Sequence, residues 1–127
     1  MKPLTTMSIA AAVILSGCSL FQSAMPGTTL SDANVLAMLD IINMSEIDSA
    51  HLAQQKASSE EVRTFASRML KDHTAMMQKS RQLAQVINLY PDPPALASTI
   101  GEKHQETTKE LRGLSGADFD QAYLKYQ

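Results

Sequence analysis

Ser58-Ser59-Glu60-Glu61-Val62-Arg63-Thr64-Phe65-Ala66 is the stretch that decides the fold. A serine followed three residues later by a glutamate, just before apolar residues that recur every three or four positions, marks a helix start. The spacing predicts a capping box, with the Ser58 hydroxyl accepting from the Glu61 amide and the Glu61 carboxylate reaching back to the Ser58 amide. The stretch therefore opens one helix almost where another must end. Downstream, that helix runs to about Asn88. Val62, Phe65, Ala66, Met69, Met76, Met77, Leu83, Ala84 and Ile87 form its apolar stripe, with His73 at the centre and Asp72 at the edge. Upstream, Ser31 or Asp32 caps a helix that runs to about Lys56. Val35, Leu39, Ile42, Ala50 and Ala53 share one stripe of it, and Glu46 lies in the middle of that stripe.

Tyr90-Pro91-Asp92-Pro93-Pro94 stops the second helix, and Pro94 suits the first position of a third. The third runs to about Arg112 with Leu96, Ile100, Thr107 and Leu111 facing in and His104 toward one side. Gly113-Leu114-Ser115-Gly116 breaks the chain. Ser115 with Asp118 caps a fourth helix that begins near Ala117 and places Phe119, Ala122, Tyr123 and Tyr126 on one side. No strand pattern, repeat or low-complexity tract is present. Four helices with short connections predict an all-α, up-down-up-down bundle over residues 31–127.

The first residues carry a different signal. Lys2 adds positive charge beside the terminal amine, and Met7 to Leu15 is apolar apart from Ser8. That run is far shorter than the roughly 20 residues a membrane-spanning helix needs, and it reads as an export signal over residues 1–17. It ends in Leu15-Ser16-Gly17-Cys18, which resembles the lipobox of bacterial lipoproteins. The resemblance implies that the Cys18 thiol is acylated and that cleavage before it makes Cys18 the mature N-terminus. Ser19 rather than Asp follows, which by the same resemblance sorts the protein to the outer membrane, facing the periplasm. A plain secretory signal with an incidental cysteine is the weaker reading, because the tetrapeptide sits where a lipobox belongs. A catalytic thiol is weaker still, since its flanks are apolar. Residues 18–30, with Met25-Pro26-Gly27 inside, read as a lipidated cysteine and a flexible tether spanning on the order of 20 Å.

The net charge of -2 is too mild for a nucleic-acid partner, and removal of Lys2 makes it -3. Acylation would consume the single cysteine, so the domain forms no disulfide.

Ser45-Glu46-Ile47, Leu52-Ala53, Glu61 to Ala66, Met69 and Asp72-His73, followed by Leu114-Ser115-Gly116-Ala117-Asp118-Phe119-Asp120 and Ala122-Tyr123-Leu124, resemble the domain-of-unknown-function family numbered 4142. The resemblance covers about Val35 to Tyr126. It implies a bacterial, envelope-associated, ferritin-like four-helix bundle and no established activity. Members usually continue the last helix for several turns, often through another His. Here that helix is short, so the resemblance implies a truncated fourth helix. It leaves three outcomes: a partner in the open groove, closure of the first three helices on themselves, or a shortened relative.

Two polar residues fall on apolar stripes, Glu46 and His73. A hydrogen-bonded pair between them would offset much of the cost of burying either. Ferritin-like di-iron sites supply Glu-x-x-His from two helices. Leu70 and Gly101 stand where those glutamates would be, so that ligand set is missing. Met69, His73 and Met77 are spaced i, i+4, i+8, and thioethers with imidazole suit Cu(I). The bland alternative is that methionines fill core gaps. No Gly-rich phosphate loop and no nucleophile elbow is present. The expectation is therefore a non-catalytic binding or structural module, anchored in the membrane, that self-associates or takes a partner helix in its open groove. Envelope copper binding is the alternative.

Overall fold

The computed structural model describes residues 29–127. Four helices follow in order: α1, Asp32–Lys56; α2, Glu60–Val86; α3, Ala95–Gly113; and α4, Gly116–Tyr126. Each boundary has a local cause. The Ser31 hydroxyl accepts from the Asn34 amide, and the Asn34 side chain accepts from the Ser31 amide, a reciprocal cap on α1. At the other end of α2, Asn88 takes a left-handed conformation (φ 52°), and the Leu89 amide donates to the Ala84 carbonyl at 2.9 Å. Pro94 flanks α3 as its N-cap, one position earlier than its expected place inside the helix.

The cap on α2 differs from the expectation. Ser59, not Ser58, is the N-cap and accepts from the Val62 amide. Ser58 is claimed instead by Asp120 of α4. The Asp120 carboxylate accepts from the Ser58 amide at 3.0 Å, the Ser58 hydroxyl at 2.6 Å and the Ser59 amide at 2.8 Å. Three bonds to a charged acceptor outweigh one local cap, so the cap shifts by a residue and, with Val62 at the third helical position, no reciprocal box forms. Arg63 closes the same turn from the other side, donating to the Ala57 and Ser58 carbonyls.

Cross-chain pairs fix the directions. Asn43 meets His73 and Asp40 meets Arg81, so α1 and α2 are antiparallel. Asn34 meets Asp92, Asp48 meets His104, and Lys56 donates to the Arg112 carbonyl, so α3 runs parallel to α1. α4 runs back again, from Asp120 beside Ser58 to Gln127 beside Ser49. The expected up-down-up-down order is therefore observed. α1 is the hub and packs on each of the other three helices.

The core sits at the α4 end. Leu52, Ala53, Ala57, Val62, Ala66, Leu111, Phe119 and Tyr123 form it. Phe119 and Tyr123, one turn apart on α4, stack at 6.1 Å, and Phe65 meets Tyr123 edge-on at 6.3 Å. α4 is short. Its 11 residues reach about 16 Å, against about 38 Å for the 25 of α1. It stops beside Ser49, where the Gln127 amide donates to the serine hydroxyl at 3.1 Å.

The expected inward stripes are therefore only half covered. On α1, Ala50 and Ala53 are sealed under α4, but Val35, Leu39 and Ile42 on the same face remain about two-fifths exposed. On α2, Phe65 packs on Tyr123, while Met76, Leu83 and Ile87 further along that face are exposed. Helical period placed these residues on the right face. Among the described residues, those beside α4 are covered and those beyond it are open.

Candidate functional site

Beyond α4, the uncovered stripes of α1 and α2 make a trough. Val35, Leu39 and Ile42 line α1, and Met76 and Leu83 line α2. Half-buried Leu96 and Ile100 lie on the α3 face that also carries His104 and Leu111. Along α1 the trough extends from Asp32 to Ser45, about 21 Å at helical rise. It continues the seat that α4 occupies.

A polar belt crosses the bundle where α4 ends. The Asp48 carboxylate can only accept, so His104 carries its proton on Nε2 and donates to Asp48 at 3.1 Å. Nδ1 then accepts from the Tyr126 hydroxyl at 2.8 Å. One imidazole thus ties α1, α3 and α4 together. Burial, with the Glu46 and Asp48 carboxylates adding to it, pushes the Tyr126 phenol above its ordinary pKa. Burial pushes Tyr123 up to about 12, again with a contribution from Glu46. Both phenols therefore stay protonated near neutrality, which suits donation rather than nucleophilic attack. Asp48, His104, Gln105, Thr108, Lys109 and Arg112 line an open cleft of about 400 Å³ beside the belt.

The expected Glu46–His73 pair is not formed. His73 Nδ1 lies 2.9 Å from Asn43 Oδ1. Glu46 Oε2 is buried without a hydrogen-bond partner among the described residues, as is the Tyr123 hydroxyl. The reason is register: Asn43 and Glu46 sit nearly a turn apart on α1, and Asn43 occupies the side toward α2, whereas Glu46 follows the stripe that faces α4. Asn43 is held firmly, since its amide donates to the Leu39 carbonyl at 2.8 Å. That bond turns Oδ1 toward His73, so Nδ1 bears the proton and Nε2 keeps its lone pair. Met69 and Met77, one turn to either side, are half-buried. Among the described residues, no group of three or more His, Cys, Asp or Glu side chains is placed to hold a metal ion. Cys18 lies outside the described residues.

The family model for a domain of unknown function, DUF4142, matches residues 19–127. The chain belongs to the DUF4142 family. The match takes in every element of the bundle, so trough and belt are both features of this DUF4142 domain. Neither the curated proteins nor the solved structures include a match to it. No described helix of the domain is long and apolar enough to cross a membrane.

The sequence pointed to the stripes and to His73. It did not point to the Asp48–His104–Tyr126 tie or to Asp120. The signal for the tie was present, because His104 and Tyr126 each lie on a face that periodicity turns inward. Nothing in periodicity pairs residues from different helices, however.

Proposed function

We propose that this DUF4142 chain is a non-catalytic envelope module, exported and lipid-anchored at Cys18 in the outer membrane, that pairs with a second copy of itself along the trough. The observation that carries the pairing is the continuous stripe on α1: sealed at Ala50 and Ala53, open at Val35, Leu39 and Ile42. α4 shows what covers such a stripe, an antiparallel helix with an apolar face. Every copy carries the same open stripe, so two copies meeting about a two-fold axis cover both at once. The sequence Leu15-Ser16-Gly17-Cys18 supports the anchor.

Two measurements test the halves separately. The unlipidated chain is expected to run as a dimer in size-exclusion with light scattering. Leu39→Glu should convert it to a monomer with unchanged helical circular dichroism. A wild-type monomer at tens of micromolar, or a dimer indifferent to Leu39→Glu, would remove the pairing. For the anchor, mass spectrometry of the membrane-extracted protein should find acyl mass on Cys18, and Cys18→Ser should release the protein to the soluble fraction. An unmodified Cys18 in the mature protein would end that half.

One observation favours copper as a second reading. The Asn43 clamp engages His73 Nδ1 and not Nε2, on a helix where Met69 and Met77 lie one turn to either side, and a hydrogen bond on the other ring nitrogen is how ligating histidines are usually oriented. Anaerobic Cu(I) titration against a competing chelator should show one site, lost in His73→Ala and weakened in Met69→Leu. No binding, or binding unchanged by His73→Ala, would exclude it.

A further inference from the structure

The α2–α3 connection carries the most exposed large apolar side chains of the described chain. Val86 is 83% exposed and Tyr90 77%, with Ile87 at 53%. Leu30 adds a fourth at 44%. The run Val86-Ile87-Asn88-Leu89-Tyr90-Pro91 contains no charged residue.

This tip is built, not loose. The Ile87 and Leu89 amides donate back to Leu83 and Ala84, which satisfies the last carbonyls of α2. Asn88 takes the left-handed conformation that the motif requires and that Asn tolerates better than most residues. The tip is then strapped to the first turn of α1. The Asp92 amide donates to the Ala33 carbonyl at 3.1 Å, and the Asn34 side chain donates to the Asp92 carbonyl at 2.8 Å. Those two bonds place the apolar turn beside Ser31, the point where the chain enters the bundle.

That entry point decides the occupant. Thirteen residue steps separate Ser31 from Cys18, and the flexible tether read from the sequence spans about 20 Å over them. The opposite end of the bundle lies a further α1 length away, about 38 Å. A lipid on Cys18 therefore holds the Ser31 end toward the bilayer, and that end carries the uncharged, apolar turn. Aliphatic side chains without charge are what the bilayer edge accepts cheaply, and tyrosine is enriched at the headgroup level.

We infer that the Val86–Pro91 turn, with Leu30, docks into the surface of the bilayer to which Cys18 is anchored. Lipid and turn together make a two-point attachment, which fixes the orientation of the domain as well as its location. The placement rests on the anchor proposed above; the test supplies that anchor chemically, so the two are judged apart.

The chain contains no Trp, so a single substitution makes an unambiguous reporter. The mature chain is coupled through Cys18 to a maleimide headgroup in phosphatidylethanolamine/phosphatidylglycerol vesicles. Tyr90→Trp should then shift its emission to the blue and be quenched by brominated acyl chains. Thr64→Trp, exposed near the far end of the bundle, should do neither. Adding Val86→Asp and Ile87→Asp to Tyr90→Trp should reduce the quenching about tenfold or more, with helical circular dichroism unchanged. An unquenched Tyr90→Trp would overturn the inference. So would equal quenching at Thr64→Trp, which would mean unoriented adsorption. A blue shift that grows with protein concentration in the absence of lipid would assign the tip to a second copy instead.

Discussion

Phe119→Ala should lower the unfolding free energy by about 3–5 kcal/mol. Phe119 is fully buried, stacks on Tyr123 and has the Lys56 ammonium 5.9 Å from its ring centroid. The loss has two parts: the transfer energy of the ring, and the cavity it leaves. Collapse is limited there, because the cluster around the ring is close-packed and its members relax only partly into a void. Domains of this size hold a total of about 5–15 kcal/mol, so the loss is a large fraction of the stability. Urea unfolding followed by circular dichroism measures it. Leu124→Ala, half-exposed on the same helix, should stay within about 0.5 kcal/mol. A loss below about 1 kcal/mol at Phe119 would mean that α4 contributes little to the fold.

Asp120→Asn should be the most damaging polar substitution. All three groups that face the carboxylate are donors: two amides and the Ser58 hydroxyl. Asparagine keeps the size but turns one acceptor into an NH₂ donor, which then faces donors across a part-buried turn. The same site has a pH signature. The Ser58 hydroxyl bond, followed by the Ser58 and Ser59 amides and Arg63, holds the Asp120 carboxyl below the ordinary aspartate range in spite of partial burial. A group whose pKa is lower in the folded state contributes stability above its unfolded value, near pH 4, and that contribution is lost as pH falls through the folded value. Urea midpoints between pH 6 and pH 2 should therefore fall more steeply below pH 4 for the wild type than for Asp120→Asn. Parallel curves would show that Asp120 does not carry the acid limb.

The sequence made the helices legible because their signals are local. Ser31, the Ser58–Ser59 turn and the Pro91–Pro94 run each announce an end within a few residues. Phe119, Ala122, Tyr123 and Tyr126 were rightly placed on one packed face. Long-range pairing was not legible. Period alone put Glu46 opposite His73, but the rotation of α1 gave that place to Asn43. A capping box read from four residues could not anticipate a carboxylate that arrives from 62 positions later. Nor does amphipathic pattern reveal coverage: Val35 and Ala53 carry the same signal, yet one is two-fifths exposed and the other sealed.

The attachment of α4 has a kinetic meaning. Asp120 latches one end of it, and Tyr126 with Gln127 latches the other; the aromatic pair lies between. The α1–α2 hairpin forms through neighbours in sequence, whereas α4 must return across more than 60 residues to reach Ser58. It is the natural last step of folding. Released at its latches, α4 would leave behind a groove running the full length of α1. Amide exchange in α4 ahead of α1 and α2 would report that excursion. The domain would then have two receptive forms, a short trough with the latch closed and a long one with it open, and whatever binds the long form would act by holding a door that thermal motion had already opened.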